Sequence, residues 1–316
     1  MLPRAEQLES KGQFCCTLIL PTYNAADFIE FTVERLTGFL RRHDDWCALF
    51  VCDGCTDGTV EMLYRLVGRA DPRIRVISCG TNRGKGSVVR HGLNASDTPY
   101  LVYTDVDFAY DPEEAIKIVK VLEEGADITV ANRVSAQSEF LINPRDFPSI
   151  YWRHLMSRSF NWWLRRMLPI TALDTQAGLK GMTARAWQIL APTMSNDGFF
   201  FDVELLARAA AAQLRIEETA VCFKYVDLTT VRMVSHGWQM IKDTVRLRHR
   251  MRKTAKGSRI MAGTPVQRVV ETVGKPGVAF PVAGKARLNW RREFFPNPKS
   301  PRPDIHEESG RITDAQ

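Results

Sequence analysis

Nowhere in the 316-residue chain do roughly 18 apolar residues run together, the length a helix needs to cross a bilayer, so no transmembrane helix is predicted. The opening stretch MLPRAEQLESKGQF has no apolar core of the kind that marks a secretory signal. Without an export signal the seven cysteines, at 15, 16, 47, 52, 55, 79 and 222, are expected to be reduced. Cys52-x-x-Cys55 has no second C-x-x-C and no paired histidines at zinc spacing, whereas a structural zinc wants four ligands. There is no G-x-x-x-x-G-K-[ST], which excludes a P-loop, and no internal repeat. The expected location is cytoplasmic, at most peripheral on the cytoplasmic membrane face.

What is there is ordinary in bulk and basic in balance. The chain is 45% hydrophobic and 25% charged, with a formal net charge of +7. Such a balance suits acidic partners such as nucleotides or lipid phosphates without choosing among them.

Along the first 135 residues short apolar runs alternate with helical patterns. Phe14–Leu20 reads as a strand stopping at Pro21, and Ile29, Val33, Leu36 and Leu40 recur at helical spacing. CALFVC is a second strand, followed by a helix over Thr56–Val67 with Asp57 as its cap. RIRVIS, YLVYTD and DITVAN are the third to fifth strands. Gly84–Ala95 reads as a helix between them, and Asp111 caps another with Pro112 in its first turn. This alternation predicts an α/β fold with a mostly parallel sheet covered on both faces. Ligands of such sheets bind beyond the carboxyl ends of the strands.

Beyond residue 135 the pattern changes. Residues 149–168 read as a helix rich in Trp and Arg, with Trp152, Met156, Phe160, Trp163 and Met167 on one side and His154, Arg158 and Arg165 on another. Val203–Ala212 reads as a helix and RIEETAVCFKY as a strand. Val234, Trp238, Ile241 and Val245 share a face of a last helix, which carries Arg246, Arg248, Arg250, Arg252 and Lys253. Aromatic and basic faces of this kind can lie on an anionic membrane. The alternative is that the first helix packs on the core and the second is solvated. The expected organisation is an extension over 1–13, a domain over 14–232, a basic amphipathic helix over 233–254 and a disordered tail over 255–316.

The strand ends carry the chemistry. They read PTYN (Pro21–Asn24), CDGCTDGT (Cys52–Thr59), NRGKG (from Asn82), TDVD (Thr104–Asp107) and Arg133. Two carboxylates one residue apart, Asp105 and Asp107, on a turn leaving a strand can gather around a hard cation such as Mg²⁺ or Mn²⁺, shared with substrate phosphates. Alone, the same pattern is usually a solvated turn. Lys85 at a helix start suits phosphate; the alternative is an exposed lysine in a capping loop.

In this order, PTYN, DG-x-TDGT, N-x-GKG and D-x-D resemble the family 2 glycosyltransferases, which have the GT-A fold. LDTQAGLKGM (Leu173–Met182) and FFFDVELL (Phe199–Leu206) resemble a narrower branch, the dolichyl-phosphate mannose and glucose synthases and bacterial polyprenyl-phosphate glycosyltransferases. The resemblance covers about residues 14–250. It implies a mostly parallel GT-A sheet with helices on both faces and C-terminal amphipathic helices. It also implies inverting, metal-dependent transfer of a sugar from a UDP- or GDP-linked donor to a polyprenyl phosphate. By position, Pro21, Tyr23 and Asp53 would flank the nucleoside, and Asp105 and Asp107 would hold Mg²⁺ or Mn²⁺. Lys85 and Arg133 would contact phosphate, and Asp174, Gln176 and Arg232 would serve the acceptor, with Asp174 counted among the catalytic residues.

Cys52 stands where the family has the first Asp of its nucleotide loop, and Ala25 where it usually has a Glu. A phosphate acceptor needs positioning, not a general base, because its second pKa is about 6. A hydroxyl acceptor would need one, and Asp174 or Glu204 could serve. The other reading of Asp174 is a turn residue before a strand, and of Asp202 and Glu204 a cap and a surface carboxylate. A peripheral membrane contact or a membrane partner subunit is expected. A hydroxyl-acceptor transferase and an inactive binding module remain alternatives. A nucleotidyltransferase would want a Gly-rich loop after the first strand, and a nucleic-acid partner is not expected.

Overall fold

The computed structural model describes residues 14–141, 147–224 and 239–252. The extension over 1–13, Arg232, Val234, Trp238 and the tail over 255–316 lie outside them.

The sheet has seven strands in the order β3-β2-β1-β4-β7-β5-β8. They are β1 (Cys16–Thr22), β2 (Trp46–Asp53), β3 (Ile74–Cys79), β4 (Tyr100–Tyr103), β5 (Ile128–Asn132), β7 (Lys180–Thr183) and β8 (Ile216–Ala220). A second, two-stranded sheet pairs β6 (Glu139–Leu141) with β9 (Cys222–Lys224). The helices are α1 (Ile29–Leu40), α2 (Thr59–Ala70), α3 (Lys85–Asn94), α4 (Glu114–Glu123), α5 (Phe147–Met167), α6 (Ala184–Leu190) and α7 (Phe201–Ala211). Residues 239–252 form a last helix, α8. Every residue of β1 and β2 is buried, as parallel strands covered on both faces require.

The five predicted strands pair as parallel neighbours except where β7 enters. β7 lies antiparallel between β4 and β5. Its first residue, Lys180, sits beside Tyr103, the last residue of β4. An antiparallel strand begins where its parallel neighbours end, so the turn before it joins the loops at their carboxyl edge.

Several expectations shift in detail. β1 runs on through Pro21 to Thr22 rather than stopping at the proline. α2 begins at Thr59, and Asp57, two residues earlier, accepts from the Thr59 amide and hydroxyl and from the Ala26 amide. The segment read as one strand over 215–225 is broken at Val221 into β8 and β9. On α8 the packed face carries Met240, Thr244 and Leu247, while Val245 is 51% exposed, so the helix is turned one residue from the expected stripe.

α5 packs as a core helix on one side. Leu164 and Leu168 are buried, with Phe160, Trp163 and Met167 half-buried against the core. Its other side exposes Trp162, Arg158, Arg165 and Arg166. No described helix is long and apolar enough to cross a membrane.

At the amino edge of the sheet, remote from the strand ends, Asp71 accepts from the Arg73 amide, Nε and Nη2, and fixes the entry to β3. The Arg73 hydrogen bond, outweighing the effect of burial, holds the Asp71 carboxyl below the usual carboxylate range. A depressed folded pKa gives stability that is present above the unfolded value and lost as pH falls through the folded one. Asp71→Asn should cost about 1.5–3 kcal/mol at neutral pH. The gap between variant and wild type should narrow in denaturant titrations as pH falls below the ordinary carboxylate range. A gap of undiminished size in acid would show that the charge is not its source.

Candidate active site

The loops at the carboxyl edge are stitched to one another before any substrate arrives. Asn24 Oδ1 accepts from the Thr56 amide at 2.9 Å, and Thr59 Oγ1 from the Ala25 amide at 2.8 Å. Together with Asp57, these bonds fuse the ends of β1 and β2 into one surface. Tyr23 stands on it, 50% exposed, while Pro21 is buried beneath.

Cys52 is wholly buried at the end of β2, and Cys55 is half-buried, its thiol 3.6 Å from the Thr22 carbonyl. Both belong to a turn that passes through Gly54. All seven cysteines are free, and no group of three or more His, Cys, Asp or Glu side chains among the described residues could hold a metal unaided.

Asp53 is buried, and its two oxygens accept from the amides of Arg83 and Gly84, each at 2.8 Å. This bond sets the start of α3. Gly84 has a φ of 101°, which strains any residue with a side chain. The next residue, Lys85, is thereby aimed at Asp105, with Nζ 2.5 Å from Oδ1. Burial alone would lower the Lys85 pKa, but the charges of Asp105 and Asp202 raise it, so the amine stays cationic.

Asp105 and Asp107 share a tight turn in which Phe108 has a φ of 47°. Asp107 accepts from the Ala109 amide at 3.0 Å. Burial, and then the charge of Asp105, push its carboxyl upward. Two facing carboxylates with one lysine between them leave a deficit of positive charge. A hard divalent ion fits that all-oxygen donor pair if donor phosphates and water complete its shell.

Arg133 and Asp174 form the second half of the site. The Asp174 carboxylate accepts from the Arg133 amide at 3.1 Å, Nε at 2.7 Å and Nη2 at 2.9 Å. Burial would raise the Asp174 pKa, but the Arg133 charge outweighs it and holds the carboxyl low. A carboxylate so engaged orients an arginine and is poorly suited to take a proton. Gln176, next along the turn, donates to Met240 Sδ at 3.4 Å on α8.

Other groups at the site carry no signal in the sequence. Tyr110 is 1% exposed and its hydroxyl closes no hydrogen bond among the described residues. Its ring lies 5.1 Å from that of Phe223, over which the Arg133 guanidinium sits at 5.6 Å. Gly178 abuts Asp105 so closely that a Cβ would overlap the carboxylate. Asp202, read as a cap, and Glu204, read as a surface carboxylate, are both buried. Asp202 pairs with Lys180, and Glu204 accepts from the Ser195 and Asn196 amides and from Arg208.

Comparison with known proteins bears on the family and the fold. The profile of glycosyl transferase family 2 matches residues 17–176. The chain is 26% identical over 247 residues to the dolichyl-phosphate beta-glucosyltransferase of Dictyostelium discoideum, covering 74% of each. It is 23% identical to the enzyme of that name from Saccharomyces cerevisiae, covering 78% of each. It is 29% identical over 222 residues to glycosyltransferase AglD of Haloferax volcanii, covering 69% of this chain but about a third of that protein (34%). In three dimensions it resembles glucosyl-3-phosphoglycerate synthase from Mycobacterium tuberculosis, crystallised with Mn²⁺, UDP and glucosyl-3-phosphoglycerate. There the TM-score is 0.55 at 18% identity, covering 75% of this chain and 80% of that one. The fold is GT-A.

If Asp174 works by aiming Arg133, their losses should not add. Arg133→Ala should lower turnover by about 100-fold or more. Asp174→Asn should do somewhat less harm, and the double variant should be no worse than Arg133→Ala alone. Additive losses in a double-mutant cycle would give Asp174 a separate role.

Proposed function

Because this chain belongs to glycosyl transferase family 2, we propose that it is a glycosyltransferase moving a sugar from a nucleotide-diphosphate donor to a polyprenyl phosphate, with inversion at the anomeric carbon. The observation that carries the acceptor assignment is the commitment of the carboxylates that could deprotonate a hydroxyl. Asp174 is bound by Arg133, and Glu204 by two backbone amides and Arg208. A phosphate monoester is already ionised near neutral pH, with its second pKa at about 6, and needs no such base. The curated dolichyl-phosphate beta-glucosyltransferases, matched over about three quarters of both chains, support the same acceptor class.

In this reading Tyr23 and the fused β1–β2 loops support the nucleoside, and Asp53 fixes the loop that carries Lys85. Lys85 meets the charge that develops on the leaving diphosphate. Asp105 and Asp107 would hold Mg²⁺ or Mn²⁺, which when bound supplies further neutralisation of that diphosphate. Arg133, braced by Asp174, holds the acceptor phosphate for attack from the opposite face of the sugar. Gln176 serves the acceptor in the same reading, a role the sequence also suggests for Arg232, which lies outside the described residues. The exposed Arg158, Trp162, Arg165 and Arg166 of α5 and the basic side of α8 face an anionic membrane that holds the lipid acceptor, directly or beside a membrane partner subunit.

The test supplies the purified protein with Mn²⁺ or Mg²⁺, a polyprenyl phosphate and a panel of labelled UDP- and GDP-sugars. Label should enter the organic phase from one donor, and Asp105→Ala should abolish its entry. Metal-dependent donor hydrolysis without lipid labelling would reject the lipid acceptor, and undiminished turnover in Asp105→Ala would reject the metal. Flotation with anionic liposomes should carry the protein upward at low salt and release it at high salt. Salt-insensitive absence of binding would remove the membrane contact.

A further inference from the structure

Beneath the two aspartates lies a charged network that the mechanism above does not use. Lys180 and Tyr103 are fully buried and Asp202 is 6% exposed. Lys180 Nζ donates to Asp202 Oδ1 at 2.8 Å and to the Ala177 carbonyl at 2.5 Å. The Tyr103 hydroxyl donates to the same Asp202 oxygen at 2.6 Å. Taking an ion pair out of water is costly, and apolar side chains of similar volume often stabilise a core as well or better. Stability therefore does not account for the network.

Its geometry does. Tyr103 ends β4 two residues before Asp105, and in the sheet it sits directly beside Lys180. Ala177, held by the Lys180 amine, precedes Gly178, which lies so close to Asp105 that a Cβ there would overlap the carboxylate. Asp202, from the first turn of α7, accepts a hydrogen bond from Tyr103 and one from Lys180. The three side chains thus tie together the two main-chain segments that confine Asp105, one in β4 and one in the turn before β7. We infer that Lys180, Asp202 and Tyr103 are positioning residues that set the Asp105 carboxylate for the divalent ion and donor diphosphate, an inference that rests on the metal-dependent reading above.

The test measures metal binding directly, by the electron paramagnetic resonance signal of free Mn²⁺ titrated with the full-length protein, alone and with UDP added. Wild type should bind and Asp105→Ala should not. The doubly apolar variant Lys180→Met with Asp202→Leu should bind Mn²⁺ about 10- to 100-fold more weakly, as loss of groups that orient metal ligands usually does. Asp71→Asn, destabilised at the opposite edge of the sheet, should bind as wild type does, which separates positioning from general loss of stability. Wild-type affinity in the double variant would overturn the inference and leave the metal reading standing. Absence of Mn²⁺ binding by the wild type would overturn the metal reading and the inference with it. If the double variant does not fold, Tyr103→Phe, which removes one hydroxyl, decides. Several-fold weaker Mn²⁺ binding is expected there, and unchanged binding would overturn the inference.

Discussion

The ion pair between Lys85 and Asp105 is the contact to which the rest of this site is fitted. Two aspartates one residue apart repel each other, and burial worsens the repulsion, as the upward shift at Asp107 shows. One ammonium offsets one of the two charges and leaves the pair short of cation. That arrangement holds only if every atom around it is fixed. Asp53 fixes the loop before Lys85 through two amides, and Gly84 gives that loop a backbone angle closed to other residues. Gly178 fixes the far side of Asp105 by close approach. Each of these features costs conformational freedom or tolerance to substitution, and each makes sense only with respect to the one carboxylate.

Much of this was legible in the residues alone. The strands β1 to β5 announce themselves as short apolar runs separated by helices, and their loops could be assigned to one edge before any coordinates. β7 is foreshadowed only by the reading of Asp174 as a turn residue before a strand, without its place in the sheet. Its four residues, Lys180–Thr183, show no alternation, and its place between β4 and β5 is decided by partners far away in sequence. The same blindness hid the charges of α7. Asp202 and Glu204 look like surface residues because nothing local reveals Lys180, 22 positions away, or the amides of Ser195 and Asn196. On α8 the face was misjudged because two stripes are almost equally periodic. Thr244 is buried in the true one, where it returns its hydroxyl to the Met240 carbonyl.

The paired cysteines of the β2 loop are packed into the end of the sheet. Cys52 lies in the last turn of a fully buried strand, between Thr22 and Ser78 in register. Its thiol is pushed far up, first by its hydrogen bond with Cys55 and then by burial, and so stays protonated. Cys55 is drawn down to about 7, chiefly by that same bond. The pair sits within the turn, and Asp53, through the Arg83 and Gly84 amides, is the carboxylate that organises the loop before α3.

The balance of charge at the site also argues for the kind of acceptor it takes. Asp105 is matched by Lys85, Asp174 by Arg133 and Asp202 by Lys180. Asp107, two residues beyond Asp105, has its carboxyl pushed upward by burial and then by the charge of Asp105. Arg133 spends Nε and one Nη2 hydrogen on Asp174, and a guanidinium carries five donors in a planar fork. Its remaining N–H groups suit a second anion, and a fork of this kind recognises carboxylate or phosphate through paired hydrogen bonds. A hydroxyl acceptor would leave those donors without an anionic partner and would find Asp174 already engaged by Arg133. In the proposed reading a phosphate monoester would satisfy the arginine and arrive already ionised, so one substrate would answer both halves of the geometry.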